Sequence, residues 1–426
     1  MPRDTSLGLR GFMRFERPRL HALMAVLSFL HVERAAPSAH FTIVGAGAYG
    51  CATAYHLAKA GSSVVVIDAG KIASGASGGF GKRGIRTNMR DPRELDLVRQ
   101  AHAKWPNLSD ELDADTGFER IGGVCLVEDV PSGLSAGVAS AKRRAVVQSD
   151  FGIPTEYWDQ AVLRDKLPGV ADSIDGALYS PLDGVASQEA TTVGYARAAQ
   201  RHGAVFVEDV QVEALVTEAS GTISGLLTTS GDRIDARRAV LLTNNVGAAR
   251  LVQTVTDYEL PLWPVLPQVL LVQSEHSPSI PYLTNHQSKV ISLKVLKDAT
   301  IMLSGGWVGA WDNDEQSGGR PVPSRIEGNL DLLRKTFPSL GELTLLSADT
   351  SRLESSSLDQ VPFVDRIPGT HNAYVATGWS GHGWALLPIV AQRLAAWLLT
   401  ERKPVEFEQF AIARLAGSAE AARMLA

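Results

Sequence analysis

The stretch FTIVGAGAYGCATAYHLAKAGSSVVVID, Phe41 to Asp68, decides the fold. It opens on a short apolar run of the kind a parallel strand shows when both its faces are covered. A glycine turn follows, then a segment from about Ala48 to Ala60 with apolar residues at helical spacing, closed by Gly61 where a C-terminal cap glycine belongs. A second apolar run, Val64 to Ile67, ends in Asp68. Strand, helix and strand in that order make a βαβ unit. Gly45, Gly47 and Gly50 spell GxGxxG at its first turn, and Ala48 begins the helix. The first glycine permits a tight turn, the second lets backbone approach a pyrophosphate, and the third lets the helix pack close to the strand. The helix N-terminus offers unpaired N–H groups and a positive dipole end to phosphate. Asp68 stands about 20 residues further on, the spacing of a carboxylate that accepts from ribose hydroxyls. NAD and FAD share this fingerprint, so it predicts a dinucleotide without choosing between them.

Working outward, the 426-residue chain is long enough for two lobes, since domains usually run about 100–200 residues. A net charge of −5 gives no reason to expect a nucleic acid or an anionic membrane as partner. Two cysteines, Cys51 and Cys125, form neither a metal nor a redox spacing, which favours a reducing, cytoplasmic setting. Residues 1–39 read as a disordered extension. Within them Arg14, Arg17 and Arg19, the apolar run Leu20 to Leu30 and the sequence AAPSA at Ala35 to Ala39 follow the order of a secretory signal, so export is the alternative. His21 and His31 interrupt and close that run. No other stretch approaches the roughly 20 unbroken apolar residues of a membrane span.

After Asp68 comes a glycine- and serine-rich loop, then a helical pattern from about Arg93 to Leu112 and a strand-like alternation from Phe118 to Glu128. The composition of Ser140 to Pro168 suggests surface helices. Tyr179 to Asn245 returns to helix, hairpin strands and another buried parallel strand, and Pro261 to Asp312 is β-rich. A helix is expected at Ile326 to Phe337, then the strand NAYVATG, the turn WSGHGW and a long apolar helix from Ala385 to Leu399. The expected fold is α/β, a Rossmann-type dinucleotide domain of glutathione-reductase-like kind with an interleaved α+β substrate domain on a mostly antiparallel sheet. Residues 40–90, 185–255 and 345–426 are assigned to the first domain, 91–184 and 256–344 to the second.

The loop after the second strand, the segments TGFERI–GGVCLVE, HGAVFVEDVQVEAL, SGDRIDARRAVLL and LDQVPFVDRIPG, and the terminal ATGWSGHGWALLP resemble the FAD-dependent D-amino-acid oxidase and sarcosine oxidase family. The resemblance runs from about Phe41 to Phe410 and selects FAD. It implies that Ser77, Gly78 and Gly79 pass beside the flavin with Lys82 and Arg83, that Arg83 serves the flavin side, and that Arg86 meets the substrate. A cation there suits a reduced, anionic flavin, and glycines let backbone approach a ring system. Val210 matches the valine at the adenine end. Asn244 stands where relatives often have glycine, and asparagine tolerates a left-handed conformation. Gly378, Ser380, Gly381, His382 and Gly383 form the turn that in relatives lies against the isoalloxazine, with a helix N-terminus facing charge that develops there. Trp384 and Trp307 are candidates for the pocket wall.

Two departures from the family stand out. Sarcosine-type relatives carry a lysine where this chain has Ala385, and another beside the flavin on the strand matching Thr300 to Trp307, which contains none. The loop and the segment before LDQVP lack the histidine or cysteine through which relatives bind flavin covalently, so noncovalent FAD is expected. The implied reaction is hydride transfer from the carbon beside an amine or amino-acid nitrogen to flavin N5, leaving an imine, with dioxygen or another acceptor taking the electrons. Arg83, Arg86 and His382 are the residues expected nearest the chemistry. Oxidation of a 2-hydroxy acid or other alcohol is the second reading, and a non-catalytic flavin-binding subunit the third. No metal-ligand spacing appears.

Overall fold

Ile43, Val65, Val66 and Ile67 have no solvent exposure, which is why both apolar runs flanking the glycine turn form strands covered on two faces. Each such side chain contributes about 1.5–3 kcal/mol on burial. The computed structural model describes residues 39–75, 77, 81–129, 136–313 and 318–417. The signal-like segment up to Ser38, together with Gly78 and Gly79, lies outside the described residues.

Ala39–Val44 pairs in parallel with Val64–Ile67 on one side and with Arg233–Leu242 on the other. Val205–Val207 and Ala373–Thr377 extend the sheet outward, both in parallel, and Phe363–Arg366 adds an antiparallel edge. The antiparallel strands Val212–Thr217 and Ile223–Thr228 continue from Arg233–Leu242. This sheet therefore draws on three separated stretches of chain. The helices Ala48–Lys59, Gln188–Arg201 and Gly383–Thr400 cover it, the first packing against both of the others. Among the described helices Gly383–Thr400 alone is long and apolar enough to cross a membrane; Leu386, Leu387, Ala391 and Leu394 are buried in the core.

A second sheet runs in the order Leu343–Asp349, Val269–Ser274, Ile301–Ser304, Ser292–Val295, Leu283–His286, Gly123–Val127, Gly176–Ser180, Glu156–Asp159. Its neighbours are antiparallel except Leu283–His286 with Gly123–Val127. The α/β fold with a mostly antiparallel second sheet is therefore as the sequence predicts. Two local expectations change. The helix expected from Arg93 to Leu112 breaks into Leu95–Lys104 and Leu108–Leu112 at a 3-10 turn, Trp105–Asn107. Pro106 has no N–H to continue the ladder, and Trp105 turns inward, its Nε1 donating to the Ala385 carbonyl at 2.9 Å. Between the helices Val138–Asp150 and Gln160–Lys166 lies the edge strand Glu156–Asp159, where surface helix alone was expected.

Candidate active site

Gly45, Gly47 and Gly50 meet three different local demands. Gly45 holds φ +108°, and a Cβ there would lie 2.8 Å from the Thr243 carbonyl carbon. A Cβ on Gly50 would lie 1.8 Å from the Gly45 carbonyl oxygen, so the helix reaches the turn only because that atom is missing. Gly47 has nothing within 4 Å of a Cβ, and it borders a cavity of about 1160 Å³. No side chain caps the helix that begins at Ala48, which leaves its first N–H groups for an anion. Asp68 lies at the same wall: Ala46 N donates to its Oδ2 at 2.6 Å and Gly70 N to its Oδ1 at 2.8 Å. The carboxylate thus fixes the turn and still has lone pairs to offer. Val210 N donates to the Asp68 carbonyl at 2.9 Å, and Val210, Ala48 and Asn244 all line the cavity. The left-handed residue in the 244 turn is Asn245, at φ 57°, and not Asn244 as the sequence suggested.

Trp379 to Trp384 line the same cavity from the other side. Gly378, Ser380 and Gly381 take φ of 76°, 51° and 77°, which makes the tight turn before the C-terminal helix. Gly378 and Gly50 act from behind the wall, since neither lines the cavity. The Tyr49 hydroxyl donates to the Gly383 carbonyl at 2.7 Å, and its ring stacks on Trp379 with centroids 3.8 Å apart. Glu354 ties the turn to the loop after the second strand. It accepts from Ser77 Oγ at 2.7 Å, from Ser355 N at 2.9 Å and from the Gly381 backbone, and burial raises its pKa. Sequence reasoning missed both Tyr49 and Glu354. Tyr49 sits inside GxGxxG and was legible there; nothing local marks Glu354.

The cations gather beyond this point. Arg83 and Arg86 both line the cavity, from the strand Lys82–Ile85 and its end. Arg86 has no hydrogen-bond acceptor among the described residues, and burial pushes its pKa down, with Arg90 the next cause. Arg90 is held: Nε donates to the Arg86 carbonyl and Nη2 to the His382 carbonyl, each at 2.7 Å, while Nη1 lies 3.4 Å from Glu94. Burial, then Arg86 and Arg90, drive the His382 imidazole down to about 3, so it is neutral at physiological pH.

The second sheet also reaches the cavity, and His286 and Lys294 are its two ionisable residues there. His286 Nδ1 accepts from Ser288 N and Lys289 N at 3.1 Å, which assigns the ring hydrogen to Nε2, a buried atom without a partner. Lys294, 5% exposed, lines the cavity from the strand next to Ile301–Ser304, paired with Met302. The cavity wall therefore does carry a lysine, one strand before the one where the sequence reading found none. Trp307 does not line the cavity; it is 53% exposed and lies over Gly328. Trp384 lines it, with Nε1 buried and unpartnered. Cys51 and Cys125 are buried elsewhere, and the described residues hold no metal-binding cluster.

An elongated dinucleotide suits this wall. The cavity joins Asp68 and Val210 to the glycine turn, then to Arg83, Trp379 and His382. Its volume exceeds the about 300–1,000 Å³ of a small-molecule site, leaving room for a second small molecule beside a flavin. Asn244 Oδ1, Asn245 Oδ1 and Trp384 Nε1, buried without partners among the described residues, are groups a bound molecule would satisfy.

A profile of the family described as FAD dependent oxidoreductase, DAO, matches residues 40–397. Glycine oxidase of Geobacillus kaustophilus strain HTA426 is 26% identical over 375 residues, 86% of this chain and 94% of its own length. Sarcosine oxidase subunit beta of Arthrobacter sp is 25% identical over 356 residues, 81% of this chain and 83% of its own. The solved L-proline dehydrogenase from P. horikoshii superposes with a TM-score of 0.78 at 24% identity, covering 89% of this chain and 98% of its own. The matched span holds both the glycine turn and the histidine-bearing turn that face each other across the cavity, and the chain belongs to the DAO family of FAD-dependent oxidoreductases.

Proposed function

We propose that this FAD-dependent oxidoreductase oxidises the C–N bond of an amino acid or N-alkyl amino acid to an imine, with the substrate carboxylate held by Arg86. The observation that carries the reading is the Arg86 guanidinium, half-buried at the cavity wall with no acceptor among the described residues, while its neighbour Arg90 is paired with Glu94. A buried charge calls for a partner, and a carboxylate meets a guanidinium through two parallel bonds. The names of relatives point the same way: sarcosine, glycine and N-methyl-L-tryptophan are each amino acids with a free carboxylate.

Bound FAD supplies the two-electron acceptor for hydride from the carbon that bears nitrogen. The protein's part is placement and field. Arg83, Arg86 and Lys294 surround the substrate with positive charge. That lowers the proton affinity of a bound amine and favours the neutral form, whose lone pair assists C–H cleavage. Neutral His382 exchanges hydrogen bonds without competing for the carboxylate. The N-terminus of Gly383–Thr400 points a positive dipole end at the site. Trp379 and Trp384 keep water from the reacting face.

The test is anaerobic bleaching of the yellow protein by N-methyl amino acids, glycine, proline and D- and L-amino acids, each beside its decarboxylated amine. Bleaching by acids of this set, and not by the bare amines, supports the reading. Bleaching by 2-hydroxy acids alone overturns it. Admitting air afterwards separates dioxygen from another electron acceptor by the speed at which colour returns.

A further inference from the structure

A second cavity, of about 600 Å³, meets the first at Lys294, a residue that lines both. Its walls are apolar: Ile121, Val185, Ile280, Pro281, Val295 and Leu296. Charge appears at its mouth, where Glu119 lies 2.8 Å from Lys82 and 3.2 Å from Lys297, the latter with its side chain 87% exposed. Two lysines share that one carboxylate, so the entrance is net positive and draws anions.

Lys294 is the unmatched group. It makes no hydrogen bond or ion pair among the described residues, and the one charge that bears on it is another cation, Arg83. A buried cation facing a second cation is costly until an anion arrives. Burial first and Arg83 second bring its pKa down to about 7, so the proton is loosely held at neutrality.

We propose that the second cavity binds a small monocarboxylic acid, its carboxylate on the Lys294 ammonium and its hydrocarbon body along Ile121, Val185 and Leu296. A neutral ligand would leave Lys294 unpaired. A polyanion would press its second charge on apolar wall. The volume suits a small organic acid, since small-molecule sites run from about 300 Å³ upward. The site is separate from Arg86, and the proposed reaction draws on it only through the charge of Lys294, the residue both cavities share. Because Lys294 also faces the flavin cavity, an acid bound here changes the charge presented to the cofactor.

The experiment is calorimetric titration of flavin-loaded protein with sodium butyrate, with butyramide and sodium chloride as comparisons. Butyrate binds the Arg86→Met protein at one site, more tightly on the acid side of neutrality, and butyramide at least about tenfold more weakly. In that background Lys294→Met weakens butyrate by about tenfold or more, and so do Ile121→Trp and Leu296→Trp, which fill the cavity while keeping the lysine. Flavin absorbance and melting temperature report that each variant is folded. Arg86→Met retains the binding. Absence of butyrate binding to the wild type, its survival in that background with Lys294→Met or with each of the tryptophan changes, or its loss in Arg86→Met each overturns the proposal. None of these readouts depends on which substrate bleaches the flavin.

Discussion

Arg90 donates from Nη2 to the carbonyl oxygen of His382, 2.7 Å away and 292 residues later in the chain. The same guanidinium holds the Arg86 carbonyl, so one side chain sets the separation of the two segments that flank the substrate position. Glu94 is 1% exposed beneath it.

Arg90→Met strands that carboxylate, and breaking a buried pair this way costs about 3–5 kcal/mol. Chemical denaturation reads the loss. Adding Glu94→Leu recovers most of it, yet flavin reduction stays slow in the double variant because the His382 carbonyl is still unanchored. Full recovery of the reduction rate would show that Arg90 serves stability alone.

The glycine turn makes a sharper contrast. Gly50→Ala drives a methyl to 1.8 Å from the Gly45 oxygen, whereas Gly47→Ala meets nothing within 4 Å among the described residues. Gly47→Ala is therefore expected to fold with less than about 1 kcal/mol change and to lose flavin affinity. Gly50→Ala is expected to lose both. Absorbance near the flavin band and a thermal melt on each protein separate the cases.

For Arg86→Met, a charged hydrogen bond to the substrate carboxylate is worth about 1.5–3 kcal/mol, so kcat/KM for the acid substrate falls about 10- to 100-fold. The corresponding decarboxylated amine loses far less. Equal losses for acid and amine would remove Arg86 from carboxylate binding.

The buried histidines fix a pH dependence. An unfolded histidine has a pKa of about 6.5. Burial, the largest cause in every instance, holds His56, His102 and His286 down to about 4 and His382 to about 3. Between those values and about 6.5 the unfolded chain binds more protons, so this stability is whole above about pH 6.5 and is lost as the pH falls toward about 4. Asp183 works in the opposite sense: burial lifts it to about 7, against about 3.9 unfolded, so its contribution is present at low pH and lost as the pH rises through about 7. Four imidazoles outweigh one carboxyl. The denaturant midpoint is expected to be lower at about pH 5 than at about pH 7.5.

The parts of this molecule written in local pattern were legible in the sequence. The βαβ unit follows from period and glycine spacing between Phe41 and Asp68, and the C-terminal strand, turn and helix are marked in the same way. What escaped depends on distant pairing. Glu354 matters because Ser77 and Gly381 converge on it, and Lys294 because its strand register with Met302 turns it to the cavity. Trp307 failed as a wall residue for the converse reason: an aromatic ring in a β-rich stretch packed on a helix glycine.

The strand Ala373–Thr377 and the turn Trp379–Trp384 are synthesised long after the glycine turn with which they share the cavity. Until they leave the ribosome, Arg233–Leu242 is paired with Ala39–Val44 but lacks its partner on the other side, and Tyr49 has no carbonyl to grip. Flavin capture thus waits until both segments have been made. A stalled nascent polypeptide ending before Ala373 emerges colourless, and a chain cut at that point yields an apoprotein instead of a slower enzyme.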